Sequence, residues 1–503
     1  MIRKITRRWL GGIFVCLSLT LQAQSFVETA LLFSRTYPGG SARIQSLGGS
    51  QISIGGDFSA ALSNPAGLGM YNRSEVTLSP AVNISKSTAS YLGETNSANY
   101  TTFHIPAFSM AFHNDYGKLS GFLGGTFAIA FTRTNDFNKN YQYAATNPNN
   151  SIIDYFLEEA EGFPVSQFSP GGGLRNTPTH LAYENYLIGD STVIDPAANP
   201  NSYFTDVLGI PFQSEEIETR RAQNQWSFGY GANYNDRLFI GASVGVTTLR
   251  YESKKIFREE FQNEPLFDLQ LEESLEIRGS GINATIGATY RPTDIFQVGF
   301  SATTPTRYEL TDTYFATMYT NWNNFQYDAF TLLTDEQYTS DILSSDYNLT
   351  TPGKANAGAT VFFKKTGFVT MDVEYINYGN AKYSSITQGI SFDGENEDIK
   401  SLYRSVFNLR AGGEYRFNNY RFRAGYSYMP DPFNSPQNNV SNTIQRITAG
   451  IGYRQSNFFI DMAVIHTFAD DSYRPYTINS VNSPLVTYKT NSTNIMFTLG
   501  LPF

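Results

Sequence analysis
Only one cysteine, Cys16, occurs in the 503 residues. It lies inside an apolar run that reads as part of an export signal, so the mature chain is expected to carry none. That excludes disulfides, thiol catalysis and thiolate metal sites. Histidine is nearly as scarce, and His104, His113, His180 and His466 lack metal-ligand spacing. Charged residues make up 16% of the chain, well below the roughly one quarter usual in soluble proteins. The net charge is −9 and no basic run follows the signal, which disfavours nucleic-acid binding. No later stretch is apolar enough for a transmembrane helix. If the mature chain crosses a membrane, it must do so as a closed barrel, which satisfies its own backbone hydrogen bonds.

Residues 1–23 have the layout of a signal peptide. Arg3, Lys4, Arg7 and Arg8 form a basic start, Leu10 to Leu21 an apolar run, and Leu21-Gln22-Ala23 a small-residue cleavage site before Gln24. Val15 stands where a lipoprotein signal needs a small residue, which argues against lipidation of Cys16.

Aromatic residues are abundant, with 33 Tyr and 39 Phe, and glycine is frequent at 41. From Arg73 onward the chain alternates with period two. Ile495, Phe497, Leu499, Leu501 and Phe503 point one way, and Asn494, Met496, Thr498 and Gly500 the other. Trp226, Phe228, Tyr230, Ala232 and Tyr234 likewise oppose Ser227, Gly229, Gly231 and Asn233. Ala355, Ala357, Ala359, Val361 and Phe363 oppose Lys354, Asn356, Gly358 and Thr360. Apolar outside, polar or small inside, with aromatics at the strand ends, is the pattern of an all-β transmembrane antiparallel barrel. Short turns such as Asn235-Asp236 and Asn418-Asn419 alternate with longer loops, as periplasmic and extracellular connections do. Segments starting near Glu75, Thr101, Lys118, Asn224, Arg237, Leu275, Ile295, Tyr347, Phe368, Leu402, Tyr420, Asn442, Phe458 and Val486 give about fourteen strands over residues 73–503. The longest loop, about 138–222, should be extracellular and contain a helix near Ile152 to Ala160. Asn321 to Asp346 is a second insertion. Lumen-facing positions such as Thr498 and Thr360 are expected to accept arginine more readily than lipid-facing Leu499 and Ala359.

Residues 24–72 do not alternate. Their apolar members, including Ile44, Leu47, Ile52, Phe58 and Leu62, argue for a packed plug rather than a periplasmic tail. The run Leu47 to Leu68, ending in Asn64-Pro65-Ala66-Gly67-Leu68, resembles the N-terminal hatch of the FadL/TodX family. The Tyr- and Asn-rich style resembles members from Bacteroidota. The resemblance implies a fourteen-stranded outer-membrane channel for passive uptake of hydrophobic compounds such as long-chain fatty acids. It implies gating by the plug around Asn64, Pro65 and Ala66, and lateral exit through the wall near the third strand, where Gly121, Gly124 and Gly125 fall. The long loop departs from what the resemblance covers.

Inside the barrel, Arg410, Glu414 and Arg416 share a lumen face, as do Arg421 with Arg423 and Arg446 with Arg454, with Asp372, Glu374 and Asp461 also inward. They form either a salt-bridge network that stiffens the wall or a site where one unpaired arginine, Arg410, Arg423 or Arg446, captures a substrate carboxylate. No catalytic residue, cofactor or metal site is expected. Expected partners are hydrophobic small molecules or lipids, outer-membrane lipid and lipopolysaccharide, and the barrel assembly machinery through the last strand ending at Phe503. The rival reading is a non-transporting subunit of type IX secretion that receives cargo proteins. An outer-membrane enzyme is a third, but no Ser-His or Asp-His pair stands out.

Overall fold
In the computed structural model, residues 26–199, 201–386, 390–479 and 483–503 are described. The signal-peptide expectation for residues 1–23 lies outside them. Fourteen strands close an antiparallel barrel. They are β1 (Glu75–Tyr91), β2 (Glu94–Asp115), β3 (Phe122–Asp136), β4 (Phe212–Tyr234), β5 (Leu238–Glu260), β6 (Leu266–Thr293), β7 (Phe296–Thr303), β8 (Lys354–Phe363), β9 (Gly367–Asn377), β10 (Ser405–Phe417), β11 (Tyr420–Met429), β12 (Ile444–Arg454), β13 (Phe459–Tyr473) and β14 (Val486–Pro502). Closure is direct, because β1 pairs with β14 from Glu75↔Pro502 to Tyr91↔Val486.

The alternation has its physical cause in lipid on one side and a filled lumen on the other. Phe497, Leu499, Leu501 and Phe503 are exposed on the outer wall, as are Trp226, Phe228, Tyr230 and Tyr234. Their neighbours Thr498 and Ser227 are fully buried. The short hairpins are built by residues that tolerate left-handed backbone. Asn235 and Asp236 both have positive φ, at 56° and 54°, which matches the turn twist to the strand twist.

On the other side the strands rise far beyond the roughly 9–11 residues that cross a bilayer. β4, β5 and β6 run for 23, 23 and 28 residues. The strand expected at Asn224 therefore begins at Phe212, and Lys139–Thr146 pairs with its start. Part of the expected long loop is thus strand. Its helix does run from Ile152 to Ala160, with Ser151 and Asp154 forming a capping box. The strand expected from Tyr347 also divides. Leu343–Thr350 pairs with Arg307–Gln326 above the membrane, whereas the spanning strand starts at Lys354. These extensions form an extracellular crown. An apolar core fills it, joining α1 (Phe26–Ser34) through Ala30 and Phe33 to Phe156, Leu181, Leu269 and Tyr383. No helix among the described residues is long and apolar enough to cross a membrane.

Candidate functional site
The segment after α1 winds through the lumen. Its backbone polar groups have no continuous ladder, so side chains must satisfy them. Ser41 caps the short helix α2 (Ala42–Gln45) and bonds to Asp57. The Arg43 guanidinium donates to Gly55 O and Gly56 O at 3.2 and 2.9 Å. α3 (Ala60–Ser63) leads to Asn64, which caps the 3-10 turn Pro65–Met70. Asn64 Oδ1 accepts from Ala66 N at 3.2 Å, while Nδ2 donates to Ile52 O at 2.6 Å and Thr289 Oγ1 at 3.1 Å. Pro65 suits the first position of such a turn, where its missing N–H costs nothing.

Ties to the wall run around the barrel. Ala42 N donates to Thr498 on β14, Gly48 N to Thr448 on β12, and Gln51 N and Ile52 N to Asp372 on β9. Ser53 bonds to Thr360 on β8, and Asn64 to Thr289 on β6. On β4 and β5 the wall is glycine. A Cβ on Gly241 would fall 2.5 Å from Pro65 O and 2.6 Å from Ala66 N, and one on Gly231 2.5 Å from Gly69 N. These glycines let the two backbones touch. Thr498 and Thr360, where arginine is expected to be tolerated, are both fully buried against the segment, so an arginine at either would have to displace it.

The lumen charges are largely paired. Arg410 bridges Glu374 at 2.9 Å. Arg423 lies 2.7 Å from both Glu414 and Asp461, and Arg416 and Arg454 complete the cluster at 2.7 Å each. Arg423 is therefore not the unpaired arginine of the carboxylate-capture reading, and Arg410, paired through Nη2, keeps only its Nε–H free. Cross-strand neighbours absent from local sequence supply their partners, as in Glu414↔Arg423. Arg446 has no ion-pair partner among the described residues. It donates to Gln45 Oε1 at 3.1 Å and stacks on Tyr37 at 5.4 Å.

The wall itself is interrupted. β2 pairs with β3 from Asp115↔Gly124 up to Ala107↔Thr132 and no further. Just above, the β1–β2 register shifts between Ser79 and Ala81, placing a bulge at Ile105-Pro106. Pro106 has no N–H to donate. Opposite it, the β3–β4 register shifts between Arg133 and Asn135, bulging Thr134. Buried polar atoms beside this break, including Thr102 Oγ1, His104 Nδ1 and Arg133 Nε, have no hydrogen-bond partner. Gly124 and Gly125 are paired to both neighbours, and Gly121 sits in the turn before β3 with φ +83°. The opening in the ladder is thus at the other end of β3 from the glycines singled out in the sequence.

The N-terminal segment lies against this break. Tyr37 N donates to Thr134 O at 2.9 Å, and Asn135 Nδ2 donates to Leu32 O at 3.1 Å. A Cβ on Gly39 would collide with the Thr132 side chain. Behind it lies a cavity of about 90 Å³, lined by Phe33, Tyr37, Thr134, Tyr308, Lys354 and Arg410 among others. Tyr37, Thr134 and Lys354 carried no signal as site residues in the sequence, since only the closed barrel brings them together. Pro106, a proline within an alternating strand, was the available clue.

The chain matches the family model described as "Outer membrane protein transport protein (OMPP1/FadL/TodX)" over residues 219–501. The crystal structure of a Pseudomonas aeruginosa FadL homologue shares the fold at 12% identity and a TM-score of 0.56, over 93% of this chain and 99% of its own. That of the P. putida toluene transporter TodX aligns at 13% identity and a TM-score of 0.50, over 93% and 99%. No curated protein matches the chain in sequence.

Proposed function
The chain belongs to the outer membrane transport proteins of the OMPP1/FadL/TodX family, and from that premise we propose that it is a passive channel for hydrophobic compounds, gated by its N-terminal segment. A ligand would be caught on the crown, whose loops expose Val193, Ile194, Leu208, Ile210 and Phe330. It would pass into the cavity above the plug and leave sideways between β2 and β3. The level of the break supports this route. Phe103 and Ile105 beside it face outward and are 71% and 45% exposed, so a departing apolar molecule would meet lipid rather than water.

The observation that carries the reading is the Tyr37–Thr134 bond. Tyr37, Pro38 and Thr134 all line the cavity, so the Tyr37-to-Gly39 stretch separates the cavity from the wall break. A small displacement of that stretch would join them. Asn64, Pro65 and Ala66, clamped on Gly231 and Gly241, would act as the fixed anchor about which it moves. The test is uptake of a labelled hydrophobic compound by proteoliposomes, before and after the stretch is tethered to the wall. Uptake insensitive to the tether would reject the gate.

A further inference from the structure
The cavity above the plug is polar for a hydrocarbon channel. Five residues with buried, unpartnered polar atoms line it: Ser34 Oγ, Gln51 Oε1, Gln223 Oε1, Thr247 Oγ1 and Arg410 Nε. All five residues are at least nine-tenths buried. Arg410 spends Nη2 on Glu374, leaving Nε–H as a free donor. Gln223 spends Nε2 on Tyr308 at 2.6 Å, leaving its carbonyl free. Lys354 also lines the cavity; its ammonium bonds to the Thr36 hydroxyl and has no carboxylate at ion-pair distance among the described residues. The lining residues thus carry two positive charges, Lys354 and Arg410, against the single negative charge of Glu374.

A hydrocarbon held here would leave each of these groups desolvated and unpaired, which disfavours it. A plain carboxylate would satisfy Lys354 and Arg410 but offer nothing to the two glutamine carbonyls, which need a donor. Resting on the channel reading above, we infer that this cavity binds the head group of a hydroxylated acid amphiphile. The carboxylate lies toward Lys354 and Arg410 Nε, and the hydroxyl donates to Gln223 Oε1 or Gln51 Oε1. Phe33, Ile52 and Leu62 supply the apolar side on which the chain begins. Size agrees. One water needs on the order of 10–15 Å³, so about 90 Å³ suits a head of a few heavy atoms and leaves the tail outside.

Binding of 3-hydroxydecanoate, decanoate and toluene to the purified full-length mature protein by calorimetry tests this. The hydroxy acid should bind at least about tenfold more tightly than decanoate, because a site with buried polar groups rejects a ligand that cannot pair them. Gln223→Leu should shrink the ratio of the two affinities, bringing the hydroxy acid toward decanoate. Lys354→Met should weaken both acids and leave toluene unaffected. Heat-modifiable gel mobility checks that each variant is folded, and Lys354→Gln serves if the methionine variant is not. Equal affinity for the two acids, or a hydroxyl preference that survives both Gln223→Leu and Gln51→Leu, overturns the inference. Toluene bound more tightly than either acid, and carried into liposomes, overturns it while leaving the channel standing. If none of the three is bound or carried, both readings fall.

Discussion
Tyr37 and Thr134 meet through one backbone hydrogen bond of 2.9 Å, and Thr134 is the residue bulged out where β3 loses its pairing to β2. A plug and a wall defect are thereby joined at one point. Gly39 and Thr132, beside that bond, are close enough for a cross-link between cysteines. In Gly39→Cys/Thr132→Cys, oxidation should abolish uptake of a hydrophobic compound and reduction should restore it. No native thiol is expected in the mature chain to interfere. Uptake that ignores the redox state would remove the Tyr37-to-Gly39 stretch from the gating mechanism.

The plug's seat should be sensitive to single methyl groups at some glycines and indifferent at others. Gly241→Ala drives a Cβ into the Pro65–Ala66 backbone, so the plug must shift and ion conductance in planar bilayers should rise. Gly413→Ala meets nothing nearer than 3.6 Å and should leave conductance unchanged. Asn64→Ala removes the bonds to Ile52 and Thr289, each worth about 0.5–1.5 kcal/mol net. It should reduce uptake without preventing barrel folding.

Arg423 holds two buried carboxylates, Glu414 and Asp461. Arg423→Met removes the cation between them and leaves each carboxylate with only its outer partner, Arg416 or Arg454, and should cost up to about 3–5 kcal/mol. Adding Glu414→Gln and Asp461→Asn should recover most of that loss. Urea unfolding followed by tryptophan fluorescence would read both steps, and a single variant as stable as the parent would contradict the network.

Leu499→Arg places a charge in lipid and should cost about 2–4 kcal/mol at mid-depth. Thr360→Arg should instead leave the barrel folded but expel the Ser53 region of the plug, seen as added conductance. Equal folding defects on the two faces would undermine the assignment of inside and outside.

The crown should loosen as pH rises. Glu259 and Glu215 lie well above Trp226, where the outer apolar band of β4 begins, and burial pushes each up to about 7. Glu259 accepts from Ser151, Ile152 N and Gln213, which offsets part of that burial cost. A carboxyl raised from 4.5 to about 7 keeps its proton in the folded state where the unfolded state has lost it. Stability therefore falls as pH climbs through that window and levels off above it. Protection of the Ile152 amide from hydrogen exchange, relative to its intrinsic base-catalysed rate, should be greater at pH 5.5 than at pH 8, with a smaller difference in Glu259→Gln. An unchanged pH dependence in that variant would exclude Glu259 as its source.

The sequence alone determined the barrel, its strand count and which residues face lipid. Those features follow from period-two chemistry within single strands, and the hairpin at Asn235-Asp236 needs only local backbone preference. The short helix at Ile152 to Ala160 was readable for the same reason, through its cap and apolar spacing. The partners of Arg410 and Arg423, the break above Ala107 and Thr132, and the cavity under Lys354 were decided only by the closed structure. Each depends on register between strands and on where the N-terminal segment comes to rest in the lumen. Glycines in β3 were a reasonable local cue for weakness, but glycine in a ladder paired on both sides keeps its hydrogen bonds. A bulge opposite a proline does not, and only the alignment of β1, β2, β3 and β4 brings the two together.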